Sequence, residues 1–419
     1  MDVSSLWSSE EPALVRRIAV TSGVAAYMVG GAVRDRILRR PVQDYDFALE
    51  GDPEKLPREY ARLSGGTFFW LDRDPGQSRV ASRRSGSTCD FALLRSATIE
   101  GDLELRDFTA NAVAASLSGR IIDPLNGIPD ILSGVIRACS PRTFDDDPLR
   151  LLRAWRLSAQ LSFRIEEATR LLLRERAPLL ERVAAERIRE EIFKILLCPG
   201  WEQTLRRLQE DGLLRAAIGE QAGEVIPVDR AVQEAGEGAP PAAVFLRARL
   251  SRELEHGVTH LALLRLRAAL GGGALRAGER LKLGNRGLKF LAALEAVDSI
   301  DLAAAARTSR SRHRFFADTE PAGPEILLLR LASTPSDAAC ILDLLQWGLQ
   351  EYPKENDPLL PAGEVMKLLG LAPGPSVGEA MEAVRQGERG GLVVTQEDAR
   401  RYLLARRAQF GVDIAGEFE

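Results

Sequence analysis

From Tyr27 to Leu49 the chain reads YMVGGAVRDRILRRPVQDYDFAL, and the rest of the sequence is organised around this stretch. Tyr27, Met28 and Val29 form a short apolar run that ends in Gly30-Gly31. That is the pattern of a strand stopping in a turn where backbone can approach a ligand closely. Ala32 to Arg39 are good helix formers, so the turn opens a helix whose free N–H groups and positive dipole end attract phosphate. Arg34 adds a full charge there. After Pro41 come Val42, Gln43, Asp44, Tyr45, Asp46 and Phe47. Positions two apart on a strand share a face, so Asp44 and Asp46 are expected to point together. Paired carboxylates repel unless a cation lies between them, and a hard divalent ion such as Mg²⁺ takes oxygen ligands while keeping room for phosphate.

Singly, Gly-Gly reads as an ordinary turn and Asp-x-Asp as a solvated edge strand. Together, Gly-Gly-x-Val-Arg-Asp followed by Asp-x-Asp resembles the catalytic signature of the nucleotidyltransferase superfamily. The form is that of the class II tRNA nucleotidyltransferases, the CCA-adding and CC-adding enzymes, and of the related bacterial poly(A) polymerases. The resemblance implies an α+β chain: an N-terminal head with a small mixed β-sheet, then an all-helical neck, body and tail. It implies Asp44 and Asp46 as catalytic metal ligands, and Gly30, Gly31, Arg34 and Asp35 as nucleotide-binding.

Thr67 to Leu71, Ser78 to Ala81, Cys89 to Leu94, and Ala112 to Ala115 with Ile122 read as strands of that sheet. A lone carboxylate within a strand is costly unless paired or exposed, so Asp90 reads either as a third metal acid or as an exposed strand aspartate. The resemblance favours the first, because the family has an acid five residues before an arginine there, matched by Asp90 and Arg95. Arg106-Asp107-Phe108-Thr109-Ala110-Asn111-Ala112 resembles the family motif Arg-Arg-Asp-Phe-Thr-x-Asn-Ala, which implies Arg106, Asp107 and Asn111 as ribose and triphosphate contacts. Leu105 stands where the family has the first arginine. Ile121 to Pro124 and Gly134 to Arg137 read as strand, turn and strand closing the head. Only a handful of residues separate Arg95 from Asp102; full CCA-adding enzymes usually carry a longer loop there, and relatives that add only the two cytidines have it shortened.

The stretch DDDPLRLLRAWRLSAQL, Asp145 to Leu161, reads as a helix with Asp147 as N-cap and Pro148 in the first position. Leu151, Leu152, Trp155 and Ala159 share one face, while Arg150, Arg153 and Arg156 form a stripe on another. The match is to the family's Glu-Asp-x-x-Arg motif, with Asp146 in place of the glutamate. Cytosine and adenine offer an amino donor beside a ring-nitrogen acceptor, whereas uracil and guanine offer the reverse. A carboxylate only accepts and a guanidinium only donates, so Asp147 and Arg150 side by side would take C and A and refuse U and G. A solvated arginine stripe on a capped helix is the plainer alternative.

At 419 residues the chain has room for about three domains and a large core. The net charge of −4 gives no global pull toward nucleic acid, so any RNA contact must come from local basic surface, such as the arginine-rich span between Arg150 and Arg215. Cys89, Cys139, Cys198 and Cys340 are scattered without metal spacing and read as free thiols of a cytoplasmic protein. No signal peptide and no membrane-spanning stretch is evident, and nothing marks an oligomeric state. Residues 217–245 read as a loop or weakly ordered insertion, Gly271 to Gly273 as a break, and His256 and His260 as ordinary surface or packing residues. LLPAGEVMKLLGLAPGPSVGEAMEAVRQGERGGLVVTQEDARRYL, residues 359–403, resembles the tail of CCA-adding enzymes and reads as three short helices.

The expected division is a head at 1–140, a neck at 141–200, a body at 201–345 and a tail at 346–419. The implied activity is template-independent addition of CMP, and of AMP from ATP if the whole CCA is made, to the tRNA acceptor end. CTP is the substrate and two Mg²⁺ ions are the cofactors. The alternatives are a complete CCA-adding or an A-adding enzyme, a poly(A) polymerase, and an inactive RNA-binding homologue.

Overall fold

A computed structural model describes residues 6–82, 86–237, 240–352, 359–389, 392–393 and 395–410. The chain forms two compact units, residues 1–217 and 218–419.

The first unit holds a seven-stranded mixed sheet in the order β3-β4-β5-β2-β1-β6-β7. The strands are β1 (Ala26–Val29), β2 (Asp44–Leu49), β3 (Thr67–Asp72), β4 (Gln77–Ala81), β5 (Thr88–Leu93), β6 (Ala114–Ser116) and β7 (Ile121–Ile122). Only β2 and β5 run parallel; every other neighbour is antiparallel. Period-2 alternation decides the two faces. Tyr45, Phe47 and Leu49 of β2 turn inward and join Trp7, Met28, Tyr60 and Phe91 in the main core, where the Phe47 and Phe91 rings stack at 5.3 Å. Helices α1 (Glu10–Ser22) and α3 (Lys55–Ser64) each present buried side chains to this core. Both end at a glycine in the left-handed region, Gly23 at φ 68° and Gly65 at φ 67°, which frees the chain to turn back into a strand.

The other face is covered in part. A smaller apolar cluster of Val29, Ala48, Ile99, Leu103, Ala112 and Ala114 seats α4 (Ile99–Glu104) against it. Asp44 and Asp46, on the same side of β2 as Ala48, remain exposed.

Besides α2 (Gly31–Ile37), which follows β1, the unit contains α5 (Gly127–Ser133), α6 (Thr143–Asp146), α7 (Arg150–Leu161), α8 (Glu167–Arg176), α9 (Ala185–Leu196) and α10 (Trp201–Glu210). Val135–Ile136 does not close the head sheet as expected. It pairs in parallel with Arg164–Ile165 in a separate two-stranded ribbon, because its hydrogen-bonding edge meets the segment after α7. Helix α7 buries Leu151, Leu152, Ala154, Trp155, Leu157, Ser158 and Leu161. It starts at Arg150, later than expected, so Asp147 is not its N-cap; the Asp147 carboxylate accepts from the Leu149 N–H at 3.3 Å in the turn before it.

Among its described residues the second unit is built of helices, with one hairpin of Glu253–Glu255 and Val258–Thr259. Much of 217–245, expected as loop, is helical: Val228–Gly236 and the start of Pro240–Ser251, whose small side chains pack rather than unravel. Gly271–Gly273 forms a 3₁₀ turn between two helices, His256 is exposed and His260 is buried. The tail has its three helices, Ala362–Leu369, Pro375–Arg389 and Gln396–Ala405, around Val365, Leu369, Ala380, Val384 and Leu403. Residues 390, 391 and 394 of that motif lie outside the described residues.

Candidate active site

The β1–α2 turn is built on Gly30, at φ 70° and ψ −137°, a conformation that side chains avoid. A Cβ there would come within 3.1 Å of Arg106 Nη1 and 3.4 Å of Asp46 Oδ2. Gly30 therefore lets a cation, Arg106, and a carboxylate, Asp46, approach the same point of backbone. Gly31 opens α2 (Gly31–Ile37).

Strand register brings the acids together. Asp46 lies opposite Asp90 in the parallel pair, and Asp44 lies opposite Thr88, whose hydroxyl donates to Asp44 Oδ1 at 2.5 Å. Asp46 stays open to solvent yet is crowded by protein, and its carboxyl is pushed up to about 6. Desolvation is the largest cause and Asp90 the next; Arg106 opposes them, while Asp44 adds to them. Asp44 and Asp46, two exposed carboxylates on one side of β2, form a donor set that a hard divalent cation fits. Asp90 is engaged elsewhere: the Arg79 fork donates Nε to Oδ1 at 2.6 Å and Nη2 to Oδ2 at 2.7 Å.

Arg34 is not an open phosphate ligand. It is 7% exposed, forked onto Asp35 at 2.9 Å through both nitrogens, and donates Nη1 to Asn111 Oδ1 at 2.5 Å. Asn111 Nδ2 donates to Asp107 at 3.1 Å, and Arg153 of α7 donates to Asp107 at 2.7 and 3.1 Å. Burial alone would raise Asp107, but the Arg153 charge, the Asn111 and Arg153 side-chain bonds and the Phe108 N–H together hold its carboxyl at about 2. Arg34, Asn111, Asp107 and Arg153 thus form one polar chain that ties α2 to α7.

Arg106 has its guanidinium on Asp102 at 3.2 and 3.3 Å, and Arg95 reaches the same carboxylate through its backbone N–H at 3.1 Å and Nε at 3.0 Å. Asp102, within α4, is 2% exposed and ties down the chain on both sides of that helix, at Arg95 before it and Arg106 after it. Sequence reading assigned it no role, nor Arg79 and Arg187. The only available signal was the acid four residues before Arg106 on helical spacing.

Val29, Asp46, Asp90, Arg95, Asp102, Arg106, Asp107, Asp147, Arg150 and Arg153 all line one cavity of about 360 Å³. Two of the candidate metal acids, Asp46 and Asp90, therefore share one space with the base-reading candidates, while Asp44 lies outside the lining. Within it, Asp147 and Arg150 both line the cavity, and each already has partners in the protein. Arg187 holds Asp147 at 3.0 and 3.2 Å, while Arg150 donates to the carbonyls of Leu105, Arg106 and Thr143 at 3.0 to 3.4 Å. The Leu105 side chain, in the family's arginine position, is 43% exposed, and its carbonyl is what the site uses. Arg156 is apart from the cavity lining, bound to Glu191 at 2.6 Å and Gln160 at 2.9 Å.

An open sheet face with an acidic pair beside a glycine turn, backed by an arginine-lined cavity, is the architecture of a nucleotidyl-transfer head. Residues 26–137 match the family described as Poly A polymerase head domain, and residues 162–222 match that described as Probable RNA and SrmB-binding site of polymerase A. A CC-adding tRNA nucleotidyltransferase of Geobacter sulfurreducens is 39% identical over 96% of this chain and 97% of its own length. An A-adding tRNA nucleotidyltransferase of Deinococcus radiodurans is 32% identical, covering 90% and 94%. A solved CCA-adding enzyme in complex with CTP is 25% identical with a TM-score of 0.64, covering 97% of this chain and 98% of that one. The chain belongs to the tRNA nucleotidyltransferase family.

Proposed function

We propose that the chain adds CMP residues from CTP to the 3′ end of tRNA without a template, releasing pyrophosphate. The observation that carries this reading is the shared cavity: Asp46 beside the Gly30 turn, with Asp147 and Arg150 on the same wall. Asp44 and Asp46, with Asp90 as a third acid, would hold two Mg²⁺ ions; when bound, these would supply Lewis-acid stabilisation for the attacking 3′-hydroxyl and the leaving pyrophosphate. The chain's own residues do the positioning. The Gly30 N–H is taken by the Val113 carbonyl at 3.3 Å, so the start of α2 at Gly31 and the Arg106 guanidinium would meet the triphosphate, while the Arg34–Asn111–Asp107–Arg153 chain fixes the turn relative to α7. Arg150 has five donors and spends three bonds on carbonyls, so it offers the rest to a base from a fixed position, and Asp147 accepts the amino group of cytosine.

CC addition is favoured over complete CCA addition by the segment between Arg95 and α4. Asp102 clamps it to Arg95 and Arg106, and only Ser96, Ala97 and Thr98 separate Arg95 from Ile99. The similarity to a CC-adding relative over nearly its whole length points the same way. A-addition is the second reading, on the strength of the A-adding relative. In this reading residues 1–140 are head, 141–200 neck, 201–345 body and 346–419 tail, the helical parts gripping the acceptor end by shape and backbone. We place the protein in the cytoplasm; among the described residues no helix is long and apolar enough to cross a membrane.

The test is incorporation of each labelled NTP, with Mg²⁺, on tRNAs ending before the CCA, after C and after CC. CTP incorporation that halts before adenosine is the expected result. Terminal AMP on the CC-ended tRNA would assign A or CCA addition, and long A tracts on arbitrary RNA a poly(A) polymerase.

A further inference from the structure

Arg79 is a charged neighbour of the acids that the reaction leaves without a task. It sits on β4 directly opposite Asp90 on β5, which in turn lies opposite Asp46 on β2. Arg79, Asp90 and Asp46 therefore form one row across three adjacent strands, on the face that carries the site. The guanidinium fork of Arg79 takes both oxygens of Asp90 at 2.6 and 2.7 Å. Each oxygen keeps a second lone pair, so what Arg79 sets against a divalent cation is its positive charge, beside a carboxylate whose own charge it already neutralises. Among the described residues no three His, Cys, Asp or Glu side chains converge as a ligand set, so Asp44 and Asp46 stand without Asp90.

We propose that Arg79 is the resident counter-charge of Asp90, neutralising this third carboxylate until a divalent cation competes for it, and thereby lowering the cation affinity of the site. The inference rests on the reading of Asp44 and Asp46 as metal ligands. Magnitudes make the exchange feasible. The Arg79 and Asp90 side chains are 38% and 27% exposed, and an ion pair so accessible to water is weak enough for a divalent cation to displace. The arrangement also keeps three like charges from facing one another when no cation is bound.

The experiment measures Mn²⁺ binding to the full chain by calorimetry or electron paramagnetic resonance. Arg79→Gln is expected to bind Mn²⁺ about threefold to fivefold more tightly than the unsubstituted protein, the factor that a partly exposed ion pair represents. Arg79→Lys, which keeps the charge but not the fork, should show a smaller gain. The gain should vanish in Arg79→Gln/Asp90→Asn. If folded Arg79→Gln binds Mn²⁺ no better than the parent while Asp44→Asn still loses it, the role of Arg79 is overturned and the metal reading stands. Mn²⁺ binding that survives both Asp44→Asn and Asp46→Asn would overturn the metal reading and this inference with it. Should Arg79→Gln fail to fold, the same comparison is decided with Arg79→Lys.

Discussion

At the residue scale the site is built from charge that the fold does not favour. Asp46 is held at about 6, with desolvation first and Asp90 next among the causes, so the apo protein bears a penalty for ionising it. The sign follows from its two states. The unfolded carboxyl titrates near 4, so the penalty is absent below about pH 4, grows between 4 and 6, and is complete above. Asp46→Asn is expected to stabilise the metal-free protein by about 1 kcal/mol at pH 8, a value already discounted for solvent exposure, and by nothing measurable at pH 4. Urea denaturation in EDTA at the two pH values tests this; equal effects at both would show that the crowding of Asp46 is not electrostatic. Stability exchanged for function at one side chain is what the proposed cation site would require of Asp46.

At the element scale, the part that matters is the polar chain from α2 to α7. Arg34, Asn111, Asp107 and Arg153 are mutually bonded, and Asp107 is 7% exposed. Removing one member of a buried ionic network leaves its partner charged and unpaired, which costs roughly 3–5 kcal/mol. Asp107→Ala should lose about that much at pH 7, read from the urea midpoint. Since the folded carboxyl is held at about 2 and the unfolded one near 4, its contribution is fully present above pH 4 and is lost as pH falls toward 2. The difference between Asp107→Ala and the parent should therefore narrow through that window. A difference constant from pH 2 to 7 would mean that packing, not charge, holds α7 against the glycine turn.

At the scale of the whole molecule, catalysis and grip are expected to separate. The two proposed metal acids lie on one strand of the first unit, whereas the second unit is large and carries a core of its own. Asp44→Ala should lower nucleotide incorporation by at least about 10²-fold while tRNA affinity, measured by filter binding or fluorescence anisotropy, changes little. A parallel loss of tRNA binding would mean that the acids shape the RNA surface instead of serving the chemistry. Much of this was legible in the sequence by itself. Alternation in Asp44-Tyr45-Asp46-Phe47 announced which side chains turn out, Gly-Gly announced a turn, and Leu151, Leu152 and Trp155 announced the buried face of α7, because these periodicities are local properties of strand and helix. Residues 217–245 misled, since Gly, Ala and Pro composition says little once packing supports a helix. What only the tertiary structure decided is partnership: Arg79 on Asp90, Arg187 on Asp147, Arg34 on Asn111, Arg150 on main-chain carbonyls. Those pairs depend on strand register and helix docking between residues up to 77 positions apart, and a linear pattern of charges contains no information about which distant opposite charge will be brought within hydrogen-bonding distance.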